Sequence, residues 1–133
     1  MESQKAEAKD GKELVDLHFE HELWVNQLKF FKKELKIFNT RLSEVSSKHT
    51  EIEVKRKVEH FQNQFIREAE VIDTLVHDIK IQEGLLSKHD NSNGPLGDRY
   101  AQVQEKLDDR MVTFGKIWFE LKSDFVKFVK EWM

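Results

Sequence analysis

The stretch DLHFEHELW, residues 16–24, sets two imidazoles and two carboxylates, His18, Glu20, His21 and Glu22, among Leu17, Phe19, Leu23 and Trp24. Imidazole nitrogen and carboxylate oxygen are ligand types that zinc and iron take in helical proteins. His18 and His21 are three residues apart, a spacing that brings two side chains onto one helical face. The chain has six histidines. Counting levels along an up-and-down helical bundle sets His77 and Asp73 of a second helix and Asp108 of a third beside His18 and His21. These five residues are the candidate set for a zinc or iron site.

A second reading of the same residues carries more weight. His21 fills a slot in an apolar seam between Leu17 and Trp24, and Gln82 and Gln104 lie within about a turn of its level. A buried neutral imidazole bonded to such a neighbour fixes helix register at some cost in stability. On this reading His21 and Gln82 are buried polar residues, no metal or other cofactor is expected, and His77 falls on the outer side of its helix, ~150° from the core on a wheel of 100° per residue. His49, beside a helix cap, and His89, at a loop edge, are expected at the solvent. In HFEHE and HTEIE, His18 with Glu22 and His49 with Glu53 are four residues apart, half of the hemerythrin pattern. The His-x-x-x-His pair and the fourth helix of that site are missing. No histidine has glutamate three residues before it, the repeat that ferritin-like di-iron bundles use twice. No serine nucleophile elbow, phosphate-cradling glycine loop or zinc-protease helix is present, so no enzymatic activity is expected.

The elements that must position these residues are helices. One proline and five glycines in 133 residues leave little to interrupt them, and charged residues make up 35% of the chain. The 22 basic and 25 acidic residues are mixed throughout. A clustered basic face for nucleic acid is therefore not expected, nor is a basic polar side for a membrane surface. With no cysteine, disulfides and thiolate-ligated metals are excluded. The opening MESQKAEAKDGK has no apolar run, and no stretch approaches the ~20 apolar residues that span a bilayer. A cytoplasmic location is expected.

Residues 1–9 read as a disordered tail and 10–133 as one helical domain. Helix A, about 11–48, carries Leu14, Leu17, His21, Trp24, Leu28, Phe31, Leu35, Phe38, Leu42, Val45 and His49 at alternating spacings of three and four, a heptad seam. Asp10 with Glu13 and Thr50 with Glu53 have the spacing of reciprocal helix caps. Helix B, about 51–89, has its seam at Val54, Val58, Phe61, Phe65, Ile72, Leu75, Ile79 and Leu86, with Glu68 and Gln82 in seam slots. Residues 90–97, with the only proline, form a loop. Helix C, about 98–132, runs through Tyr100, Val103, Leu107, Met111, Phe114, Trp118, Leu121, Phe125, Phe128 and Trp132, with one extra residue between Val103 and Met111 that a local stutter would absorb. The predicted architecture is all-α: an elongated antiparallel three-helix bundle with coiled-coil-like packing that dimerises.

Dimerisation follows from apolar residues that one core does not explain. Phe19, Leu23, Phe30 and Ile37 cluster well over 100° around helix A from its seam. On helix C, Val112, Phe119, Val126 and Val129 form a second stripe, in which Gly115 would admit a close neighbour. These eight side chains are the expected interface with a second copy of the chain or with a partner helix. The function expected is a non-enzymatic structural or protein-interaction bundle.

Overall fold

The structure, a computed structural model, describes residues 14–89 and 96–133. It contains three α-helices, α1 (Leu14–Lys48), α2 (Ile52–Lys88) and α3 (Asp98–Trp132), and no strand among the described residues. The expected start of helix A with Asp10 and Glu13 lies outside the described residues, as do the expected tail and residues 90–95 of the loop.

The cap of α2 falls one residue later than its sequence pattern suggests. The Lys55 amide donates to the Glu51 carbonyl (3.0 Å), so Glu51, not Thr50, is the residue whose carbonyl accepts the first helical bond. Its carboxyl is held below the usual carboxylate range, chiefly by its own backbone N–H. Burial works against this, while His49 and the Thr50 N–H assist. At α3 the Ala101 amide donates to the Gly97 carbonyl (3.1 Å), and Gly97 holds the equivalent place.

The chain divides into two compact units, one built from the residues up to Leu28 with Thr74–Val112, the other from Lys29–Asp73 with Thr113–Met133. Each takes a segment from all three helices. In the first unit Leu17 packs with Leu86, Leu96 and Tyr100, and Trp24, Leu28, Leu75, Ile79, Leu107 and Met111 are buried as well. In the second the core is aromatic: Phe38 lies against Phe65, Trp118 and Phe125 at ring separations of 5.9, 5.7 and 5.0 Å. Phe61 lies 5.3 Å from Phe125 and 5.1 Å from Phe128. Contacts within each unit show α2 running against α1 and α3. In the first, Leu17 meets Leu86 and Tyr100, while His21 meets Glu83 and Gln104. In the second, Phe31 meets Phe114 and His49 meets Trp132, while on α2 Phe61 meets Phe128 and Phe65 meets Phe125.

The seam of α3 differs from the expected one in an informative way. Gln104 is buried and Val103 is only half-buried. With Gln104 in the slot, the buried residues run Tyr100, Gln104, Leu107, Met111, Phe114, Trp118, Leu121, Phe125, Phe128, alternating four and three without interruption. The extra residue disappears, and no stutter is needed. Apolarity alone favours the valine; the chain buries the glutamine because it has hydrogen-bond partners there. Gly115 also departs from expectation, since a Cβ there would meet nothing within 4 Å and no close neighbour within the chain requires it.

Glu68 occupies the α2 seam slot between Phe65 and Ile72 and is 6% exposed. Burial pushes its carboxyl above the usual range, partly offset by attraction to Arg67. An acid whose folded pKa is raised contributes stability below its unfolded value and loses it as pH rises through the folded value. Glu68→Gln is therefore expected to raise the urea midpoint at pH 7 and to leave it little changed at pH 3. For Glu51 the sign is opposite: its contribution is present above the ordinary glutamate pKa and lost as pH falls through the depressed one. Glu51→Gln should flatten the acid limb of stability against pH, and an unchanged limb would refute the cap assignment.

Candidate functional site

The buried polar residues of the first unit converge on one another. His21, Gln82 and Gln104, each 2% exposed, occupy seam slots on α1, α2 and α3, so the heptad spacing that buries a leucine elsewhere here brings three polar side chains to one level. His21 Nε2 is hydrogen-bonded to Gln104 Oε1 (2.9 Å). Gln82 Nε2 donates to the same oxygen (3.1 Å) and to the Tyr100 carbonyl (3.3 Å). Gln104 Nε2 donates in turn to Glu20 Oε1 (2.9 Å). On its other side His21 Nδ1 lies 2.7 Å from Glu83 Oε1, and His18 Nδ1 lies 2.5 Å from Glu83 Oε2. One carboxylate thus clamps two histidines of α1, and the Trp24 ring lies 5.9 Å from that of His21.

The buried pairing of His21 with a glutamine is the arrangement the sequence suggests, with Gln104 as the direct partner and Gln82 one bond further. Glu83 and Glu20 are the members that sequence reasoning misses. Counting levels from a pivot at residue 49 sets residue 77 opposite His21. The contact between His21 and Glu83 puts the effective pivot at residue 52, the midpoint of 21 and 83, three residues later than 49. The signal that points to Glu83 is His18, whose i, i+3 partnership with His21 calls for an acidic residue beside Gln82.

The wider candidate metal set is not brought together. His77 and Asp108 are exposed. Asp73 belongs to the second unit, where it pairs with Lys32 (2.5 Å). Among the described residues no group of three or more His, Cys, Asp or Glu is arranged to hold a metal ion. The 2.5 and 2.7 Å contacts of Glu83 are direct hydrogen bonds.

His49 departs from its expected exposure. Its side chain is 22% exposed; Nε2 donates to the Trp132 carbonyl (2.6 Å), and its ring lies 5.4 Å from that of Trp132, edge-on. In the same unit Glu34 accepts from the Trp118 indole N–H (3.0 Å) and from Lys122 Nζ (2.6 Å), another polar anchor on an aromatic core. A groove of about 320 Å³ lies among Asn39, Ser43, Ser46, Ser47 and Gln62. Its Lys55 is engaged by the Ser46 carbonyl (2.5 Å) and hydroxyl (3.2 Å).

The expected interface residues divide between the units. In the first, Phe19, Leu23 and Val112 are exposed; in the second, Phe30, Ile37, Phe119 and Val126 are exposed and Val129 is half-buried. No helix among the described residues is long and apolar enough to cross a membrane. No family model, no curated protein and no solved structure matches the chain.

Gln104 is the junction of the polar layer. Gln104→Leu keeps the volume roughly constant but leaves His21 Nε2 and a Gln82 N–H without their partner in a buried place. The expected loss is about 2–6 kcal/mol in urea denaturation, at ~1–3 kcal/mol for each of the two stranded groups. A loss under about 0.5 kcal/mol would show that the layer contributes no binding between helices.

Proposed function

We propose that the chain is a non-enzymatic protein-interaction bundle, with coiled-coil-like packing, that associates with a second copy of itself through the apolar faces left outside its own core. The observation that carries this reading is the exposure of large apolar side chains beside a complete core. Phe19 is 59% exposed, Phe30 57% and Phe119 72%, while the described seam residues of the three helices are buried or half-buried. Isolated surface phenylalanines are ordinary, but here they recur on α1 and α3 at spacings that keep them on one side of each helix.

Four such side chains covered by a partner would contribute ~1.5–3 kcal/mol each, which goes some way toward offsetting the entropy cost of association. A twofold homodimer is the commonest arrangement for a soluble oligomer. It would cover the same face on both copies and leave the charged residues at the rim. Metal binding is the competing reading, and it keeps only His18, His21 and Glu83 as neighbours.

Light scattering at micromolar concentration should give twice the monomer mass for the wild type and a monomer for Phe30→Lys or Leu23→Lys, with the helical circular dichroism of both variants unchanged. A monomeric wild type sinks the proposal. Elemental analysis of the untagged protein separates the competing reading: stoichiometric zinc or iron would replace interaction with metal binding as the function.

A further inference from the structure

Although the two signs of charge are mixed over the chain as a whole, α1 sorts them. Up to Leu28, where α1 belongs to the first unit, the helix carries Asp16, Glu20 and Glu22 and neither lysine nor arginine. From Lys29 onward, in the second unit, it carries Lys29, Lys32, Lys33, Lys36, Arg41 and Lys48 against Glu34 and Glu44. The boundary of charge is the boundary of the units. Phe19, Leu23, Phe30 and Ile37 recur along this helix at spacings of four and seven residues, a heptad stripe, with Glu22, Lys29 and Lys36 along one flank of it at intervals of seven. Glu22, Lys29, Lys33 and Lys36 are exposed, and none of them makes an ion pair among the described residues.

The exposed stripe of α3 is sorted in the same way. In the first unit Glu105 and Asp108 lead up to Val112, while in the second Phe119 and Val126 alternate with Lys122 and Lys130. Within the second unit the stripes of α1 and α3 flank one groove: Glu34, on a ridge with Phe30 and Ile37, bonds Lys122, on a ridge with Phe119 and Val126, at 2.6 Å. Gly115 stands on that second ridge, and a Cβ there would meet nothing within 4 Å, which leaves room for a neighbouring helix.

We propose that a second copy docks antiparallel, with the acidic first-unit stretch of α1 in each copy laid on the basic second-unit stretch of α1 in the other. This rests on the reading of the chain as a homodimer and adds the direction of the pairing. A register that sets Phe19 of one copy at the level of Ile37 of the other brings all four apolar residues of each stripe into the contact. In that register Glu22 falls between the levels of Lys33 and Lys36 of the second copy, and the twofold axis repeats the contact. Only Lys29, beside the axis, meets its own kind. A parallel pairing would set Glu22 against Glu22 and Lys33 and Lys36 against themselves, and like charges across an interface select against that arrangement. A partner helix of one sign would match one stretch and repel the other, whereas a second copy matches both.

The chain has no cysteine, so Ser47→Cys carries a single spin label per copy near the end of α1. Double electron–electron resonance on the full-length dimer should give a label separation of roughly 55 Å, because ~38 residues at 1.5 Å each would lie between the two levels. A separation within about 20 Å, the spacing of side-by-side helices and their labels, shows a parallel dimer and overturns the inference while dimerisation stands. Glu22→Lys and Lys36→Glu should each raise the dimer Kd by roughly tenfold, since each reversal acts twice in a twofold contact. An equimolar mixture of the two variants should recover the wild-type affinity as a heterodimer, which a loss of folding would not. Variants that each dimerise as tightly as the wild type overturn the inference as well. A wild type that scatters light as a monomer removes the dimer itself, and this pairing with it.

Discussion

The polar layer at His21, Gln82 and Gln104 is the constraint to which the first unit answers. Heptad seams made only of leucine, isoleucine and phenylalanine tolerate a slip of one repeat, because one apolar pairing resembles the next. Three polar side chains in seam slots remove that freedom. A one-heptad shift of α3 would place Met111 or Gly97, rather than Gln104, beside His21, stranding His21 Nε2 and the NH₂ of Gln82 in an apolar surround. The layer need not add to stability relative to an apolar replacement; what it does is make one alignment of the three helices far better than its neighbours. Glu83 extends the constraint to the flank, since only in this alignment does one carboxylate reach both His18 and His21.

The second unit solves the same problem by shape. Its core layers are phenylalanine and tryptophan, with Phe38 stacked nearly parallel on Trp118 (9° between planes, 5.7 Å) and Phe65 edge-on to Phe125 (79°, 5.1 Å). Aromatic rings have fewer acceptable mutual orientations than aliphatic side chains, so an out-of-register pairing would lose packing area and ring geometry together. One polar anchor accompanies them: the Trp118 indole N–H is satisfied by Glu34, whose second oxygen takes Lys122. Glu68 is the exception, a seam residue whose burial acts against its own ionisation.

Most of the helical architecture can be read from periodicity alone, because three long seams with almost no proline or glycine leave few alternatives. The errors are local and share a cause. Periodicity prefers Val103 to Gln104 and centres the turn between α1 and α2 too early, because hydropathy and capping patterns each carry an uncertainty of a residue or more, and at 100° per residue that changes the face. The pivot error then propagates along α2: a shift that leaves an apolar seam intact moves the level opposite His21 from Glu83 to His77, and with it the whole candidate metal set. Glu83 itself carries no motif. Its role depends on two histidines of another helix, a relation between segments that no window on α2 contains. His49 escapes for the same reason, since the carbonyl it bonds belongs to Trp132 at the far end of α3.

The chain thus places polar groups where burial is costly and apolar groups where solvent contact is costly. The inner placement gives up the stability that leucine at 21, 82 and 104 could supply, and the outer one leaves apolar surface in water where lysine or glutamate at 19, 30 and 119 would leave none. The inner placement limits the ways the helices can align. For the outer one the same logic applies on the proposed reading: an apolar face held on well-aligned helices presents one shape to a partner, whereas helices free to slip would present several. On that reading a fixed register within each unit would raise the value of the apolar side chains the unit leaves exposed, because binding would then spend less of its free energy on selecting a conformation.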